Sequence, residues 1–142
     1  MKVIGLDLGS KTLGVAISDE LRIIARAVDT FRFEEDNYEL AYNYTIELCK
    51  KENVKEIVLG LPKHMNGDSG IRAQISYDFK EYIESHSDIK VHLEDERLTT
   101  SIVNKSMIMG NVKRKDRKQK KDEMAAVVIL QNYLDKRGWK YE

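Results

Sequence analysis

Cysteine occurs once in the 142 residues, at Cys49. A lone cysteine excludes an internal disulfide and a cysteine-based metal cluster, and it fits a reducing compartment such as the cytoplasm. Proline also occurs once, as Pro62, and the eight glycines do not gather into a linker. No apolar run approaches the length of a membrane span, so no membrane partner is expected. Met1 is followed directly by a strand-like run, with no basic n-region or small-residue cleavage site, so no signal peptide is expected either. Net charge is missing too, because 24 Lys and Arg balance 24 Asp and Glu. The total therefore points to no partner, and only the distribution of charge can. The length fits one domain spanning 1–142, long enough to bury a core.

The first stretch, "KVIGLDLGSKTLGVAISD" (2–19), is apolar or small almost throughout, yet it carries Asp7 between Leu6 and Leu8. An uncompensated buried charge is expensive, so Asp7 needs a partner. Residues 2–9 and 12–19 read as two strands joined by a tight turn at Ser10-Lys11. Pairing Gly9 with Thr12 sets Ile4 against Ile17, Leu6 against Val15 and Leu8 against Leu13. The other face then holds Gly5 opposite Ala16, and Asp7 opposite Gly14. That register leaves Asp7 on a bare face.

Residues 23–33 read as a third strand. Residues 37–52 read as a helix capped by Asn37, with Leu40, Tyr44 and Leu48 at helical spacing. "EIVLG" (56–60) reads as a buried parallel strand, and Ile71, Ile75, Phe79 and Ile83 mark a second helix. "KVHLEDE" (90–96) is a further strand. A third helix runs from Thr99 or Thr100 to about Met109. The last runs from Asp122 to Lys136 and is ended by Gly138. The order β-β-β-α-β-α-β-α-α implies a mixed five-stranded sheet, an antiparallel meander plus two parallel strands, with helices on its faces.

Sites in open α/β sheets gather at the carboxyl ends of strands. Glu96 is placed to project from such an end, and Asp122 opens the last helix. Ala125 and Ala126 let that helix approach the sheet closely. Asp7, Glu96 and Asp122 are thus placed to converge. Carboxylates without His or Cys suit Mg²⁺ or Mn²⁺, and a two-metal site suits phosphodiester hydrolysis. Simpler readings stand beside this one. Asp122 can serve only as an N-cap, Glu96 can pair at the surface with Arg97, and Asp7 can fill a structural hydrogen-bonding role.

"KRKDRKQKK" (113–121) holds seven basic residues and one acid, ending beside Asp122. Such a run suits sequence-independent contacts to a nucleic-acid backbone, through Lys113, Arg114, Lys115, Arg117 and Lys118. Its plain alternative is a solvated loop. The stretch 63–73, "KHMNGDSGIRA", can hold phosphate at a helix N-terminus, with Lys63, Asn66 and Arg72 as contacts, or it can be an ordinary glycine turn. Lys11 and Arg97 complete the set of candidate phosphate contacts.

Four stretches, "GLDLGSKTLGVAISD", "GLPKHMNGDSGIRA", "DERLTTS" and "KDEMAAVVILQNYLD", together resemble the signature blocks of the YqgF/RuvX family, in order and across nearly the whole chain. The resemblance implies a ribonuclease H-like three-layer fold and a metal-dependent nuclease. The substrate it implies is precursor 16S ribosomal RNA, trimmed at its 5′ end, or alternatively a Holliday junction in branched DNA. The family's acids fall on Asp7, on Glu96 (with Asp95 as second choice) and on Asp122. The implied partners are nucleic acid and pre-ribosomal particles, for a monomer or weak homodimer. The chain departs from the family pattern at Lys11-Thr12, where an arginine is usual in second place, and at Lys121, where an apolar residue is usual. "LDLGSKTLGVA" also resembles the phosphate loop of actin-like and sugar-kinase ATPases, but those enclose ATP between two such lobes and 142 residues supply one. A non-catalytic RNA-binding role is the remaining alternative.

Overall fold

The computed structural model describes residues 1–61, 68–95 and 124–136. Three strands open the chain: β1 (Ile4–Leu8), β2 (Thr12–Ser18) and β3 (Ala25–Arg32). Then come α1 (Tyr38–Glu52), β4 (Glu56–Leu61), α2 (Asp68–His86) and β5 (Lys90–Asp95). A further helix, α3, occupies 124–136. The five strands form one sheet in the order β3-β2-β1-β4-β5. β1, β2 and β3 pair antiparallel, while β4 and β5 join parallel to β1.

The hairpin register is the one the side-chain pattern requires. Ile4 pairs with Ile17, Leu6 with Val15, Leu8 with Leu13, Gly5 with Ala16 and Asp7 with Gly14. The Gly9 N–H closes the turn on the Thr12 carbonyl at 2.8 Å. The bulky face packs Ile4, Leu6, Val15, Ile17, Ile57, Leu59 and Val91 against Ala41 and Cys49 of α1 and Phe79 and Ile83 of α2. The small face packs Val3, Ala16 and Val58 against Ala126, Ile129, Leu130 and Leu134 of α3. Helices therefore cover both faces.

Four boundaries or stripes differ from the sequence reading. β3 starts at Ala25 rather than 23, because the N–H groups of Ile23 and Ile24 turn to Asp19 Oδ1 at 2.7 and 3.1 Å. The α1 stripe is offset by one residue. Ala41, Thr45 and Cys49 face the core, while Leu40 is 41% exposed. Small residues bring α1 close to the sheet, and the larger Tyr44 and Leu48 flank that contact. Asn37 precedes α1 but makes no side-chain cap bond. Ile71 is 68% exposed, so the apolar stripe of α2 reaches full burial only at Phe79 and Ile83. β5 ends at Asp95, and Glu96 lies outside the described residues, as do the expected third helix, the basic run, Asp122 and Gly138.

Edge strand β5 is shielded by α2. Val91 donates its N–H to Glu84 Oε2 at 3.0 Å and accepts from Lys80 Nζ at 2.9 Å. These bonds occupy backbone groups that would otherwise recruit another strand.

Candidate functional site

Asp7 lies on the face of β1 that carries Val3 and Gly5, the face covered by α3. Gly5 is required there. A Cβ at that position would stand 2.6 Å from Leu130 Cβ and 3.0 Å from the Ala126 carbonyl oxygen. The first turn of α3 therefore touches β1 two residues before Asp7.

Neither neighbouring strand places a side chain beside Asp7. Across β2 its partner is Gly14. On the other side, Leu6 pairs with Leu59, and one further step of that register sets Asp7 level with Gly60. Gly60 in turn pairs with Glu94 of β5. Beyond Gly14, the β3 partner is Thr30. One row of the sheet thus reads Thr30, Gly14, Asp7, Gly60, Glu94, with Asp7 half-buried between two glycine gaps. A hard divalent cation is chemically suited to a carboxylate in such a setting. Among the described residues, no three His, Cys, Asp or Glu side chains cluster as a metal site.

Two predicted phosphate contacts fall at this end of β1. Arg72, on the first turns of α2, donates from Nη2 to the Leu8 carbonyl at 3.4 Å. Lys11 sits exposed at the hairpin tip, which is tied to the segment after β3. There the Phe33 N–H meets the Lys11 carbonyl at 2.9 Å, and the Asp36 N–H meets the Ser10 carbonyl at 2.8 Å. Tyr38 donates to Asp36 Oδ1 at 3.2 Å, and burial with that carboxylate holds its hydroxyl above the ordinary phenol range. The side chain of Asp95 and all of Glu96, Asp122, Lys63, Asn66, Arg97, Lys113, Arg114, Lys115, Arg117 and Lys118 lie outside the described residues.

The structure adds Glu94, which the sequence reading did not single out. Its residue is 8% exposed, and its carboxylate receives Lys136 Nζ from the last turn of α3. The only signal in the sequence was its alternation with Val91 and Leu93.

A mixed β3-β2-β1-β4-β5 sheet with helices on both faces is the ribonuclease H-like architecture of the resolvases. T. thermophilus RuvC, solved with a Holliday junction substrate, superimposes with a TM-score of 0.65 over 96% of both chains at 14% identity. The Fowlpox virus resolvase, solved with Holliday junction DNA, gives 0.58 over 96% of this chain and 98% of that one, also at 14% identity. The family model described as "RuvX: Holliday junction resolvase" matches residues 1–136, and the chain belongs to that family. A Lactococcus lactis subsp. cremoris relative is 46% identical over 134 residues, 94% of each chain. A Staphylococcus aureus relative is 44% identical over 135 residues, 94% of this chain and 95% of the relative. Both carry the name "Putative pre-16S rRNA nuclease".

Proposed function

We infer that the protein is a divalent-metal-dependent nuclease, a hydrolase of phosphodiester bonds in structured nucleic acid, and that it processes the 5′ end of precursor 16S ribosomal RNA. Asp7 carries this reading, since it is a half-buried carboxylate on the central strand with glycine rather than a side chain level with it on either neighbouring strand. The names of the near relatives supply the substrate. Asp7, Glu96 and Asp122, with Asp95 as second choice, would hold Mg²⁺ or Mn²⁺, which would supply Lewis acidity for phosphodiester hydrolysis. Arg72 and Lys11 hold the backbone at the carboxyl end of β1. Lys63, Asn66 and Arg97 extend that grip, and Lys113, Arg114, Lys115, Arg117 and Lys118 add contacts indifferent to sequence. The whole chain acts as one nuclease domain in the cytoplasm, on RNA in pre-ribosomal particles, as a monomer or weak homodimer. Among the described residues, no helix is long and apolar enough to cross a membrane.

The family description and the resolvase neighbours favour a second reading, cleavage of branched DNA. The test is cleavage of a precursor 16S 5′-leader RNA and of a four-way DNA junction, side by side, with Mn²⁺ and with EDTA. The expected result is cutting of the RNA alone, abolished by EDTA and reduced at least about a hundredfold by Asp7→Asn, with the melting temperature unchanged. Cutting of the junction alone selects the resolvase, and undiminished cutting by Asp7→Asn rejects the mechanism. Retained RNA binding by a non-cleaving Asp7→Asn protein separates catalysis from a pure binding role.

A further inference from the structure

We propose that Asp36 is a specificity-determining residue whose carboxylate accepts a hydrogen bond from a ribose 2′-hydroxyl of the RNA strand held at the carboxyl end of β1. The proposal rests on the nuclease reading of the site. It supplies what the acids and the basic groups leave open, a means of telling RNA from DNA.

Three observations support it. The first is position. The Asp36 N–H bonds the Ser10 carbonyl at 2.8 Å, so the residue sits against the hairpin tip that carries Lys11. Ser10 follows Asp7 by three residues, which span at most about 10 Å of chain. Arg72 bonds the Leu8 carbonyl at 3.4 Å, and its charge also acts on the Tyr38 phenol, which is bonded to Asp36. Asp36 therefore shares the end of β1 with both described phosphate contacts. Each phosphate of a nucleic-acid strand is joined directly to a sugar, so a group beside a phosphate grip is also beside a ribose.

The second is the backbone. Asp36 has φ 63°, in the left-handed region that residues other than glycine seldom adopt. Arg22 and Asn53 share that conformation, and both have local explanations. Arg22 lies in the β2–β3 turn, its N–H on the Asp19 carbonyl at 3.1 Å. Asn53 ends α1 with its N–H on the Cys49 and Lys50 carbonyls. At Asp36 the conformation delivers the N–H to Ser10, which glycine would do without strain. The backbone alone therefore does not call for a carboxylate.

The third is the state of that carboxylate. It is exposed, and the Tyr38 hydroxyl donates to its Oδ1 at 3.2 Å. Among the described residues it forms no ion pair with Lys11 or Arg72 and accepts no N–H of α1, where Asn37 makes no side-chain cap bond either. It neither neutralises the phosphate contacts nor caps the helix. A negative charge beside a phosphate grip repels the phosphate, so the strand must bring it a donor. Along the sugar–phosphate backbone that donor is the ribose 2′-hydroxyl, the group that distinguishes RNA from DNA. Tyr38 fixes Oδ1 and leaves Oδ2 to accept it.

The test measures binding of the precursor 16S 5′-leader RNA by fluorescence anisotropy in the Asp7→Asn protein, which prevents turnover. A set of leaders, each with one 2′-deoxynucleotide, is compared with the unmodified leader. The same set is then measured with Asp36→Gly added, which keeps the left-handed backbone and removes the carboxylate. At one nucleotide, loss of the 2′-hydroxyl should weaken binding about tenfold in the parent and less than about twofold with Asp36→Gly, the scale of one hydrogen bond to a charged group. Asp36→Asn keeps an acceptor and tolerates the same backbone, so it should retain a several-fold effect at that nucleotide. Asp36→Gly should melt with the parent, because the bond to Tyr38 is exposed. Where it does not, the Asp36→Asn result decides alone. Equal weakening of every leader by Asp36→Gly marks a structural role and overturns the assignment, leaving the nuclease reading intact. So does a parent in which no single 2′-hydroxyl matters. A protein that binds the four-way DNA junction and not the leader overturns the ribose contact and selects the resolvase. A wild-type protein that neither binds nor cuts either substrate overturns both readings.

Discussion

Lys136 and Glu94 are unequal partners. The carboxylate side chain is 9% exposed and the lysine side chain 64% exposed. Removing the lysine strands a buried charge, whereas removing the carboxylate returns an ammonium to water. Lys136→Met should therefore destabilise the protein by about 1–2 kcal/mol, and Glu94→Gln by less, about 0.5–1 kcal/mol. Urea unfolding of both variants and of the double variant measures the asymmetry, and equal losses would contradict it. The same two residues show what the linear chain hides at this scale. Asp7 is legible because a carboxylate between Leu6 and Leu8 conflicts with its surroundings. Glu94 sits among other acids at the end of β5, and its partner lies 42 positions away. Asp36 is less legible still, since the left-handed backbone that places it is set by its contact with the hairpin tip.

The contact between α3 and β1 sets how a helix is held against the side of the sheet that carries Asp7. Gly5→Ala would drive a Cβ to 2.6 Å from Leu130 Cβ and 3.0 Å from the Ala126 carbonyl oxygen, and helix backbone has little freedom to yield. The expected loss is about 2 kcal/mol, typical of overpacking. Cleavage should fall by more than the folded fraction does, because α3 shifts relative to Asp7 and Asp122 lies only four residues before Ala126. Gly70→Ala is the control. Nothing stands within 4 Å of a Cβ at that position in α2, so stability should hold or rise by about 0.5–1 kcal/mol. Thermal melting and cleavage rates of the two variants settle the comparison, and loss of both properties in Gly70→Ala would point to a role the packing does not reveal. Elements were readable where side-chain size alternated strictly, as in the β1–β2 hairpin, whose whole register follows from sequence. The α1 stripe was displaced by one residue because large apolar side chains draw the eye, while Ala41, Thr45 and Cys49 make the close approach. The contact of Gly5 with α3 was foreshadowed only by Ala125-Ala126.

For the molecule as a whole, buried Cys49 and three half-buried tyrosines of α1 set an alkaline limit on stability. Cys49 is 2% exposed, and burial pushes its thiol up to about 12 from 9.0. Burial also raises Tyr38, Tyr42 and Tyr44 above 10.0, with nearby acids adding to each. All four are neutral when protonated. Above the unfolded thiol value of 9.0 and phenol value of 10.0, the unfolded chain releases protons that the native fold retains. The native state then binds more protons than the unfolded one, so stability falls as pH rises. The thiol's share of that loss continues until pH reaches about 12. Acid has the opposite handle. Asp19, bonded by the Ile24 and Ile23 N–H groups, and Asp88, bonded by Lys55, are both held below 3.8, so their contribution is lost as pH falls beneath that value. Both carboxylates are fully exposed and solvent screens them, so the alkaline limb should be the steeper. Urea unfolding between about pH 7 and pH 11 should show a plateau and then a decline beginning near pH 9. Cys49→Ala starts from a lower plateau because it leaves a cavity, yet its decline should be shallower because the thiol no longer contributes. A Cys49→Ala curve parallel to wild type across that range would show that the half-buried tyrosines alone set the limit.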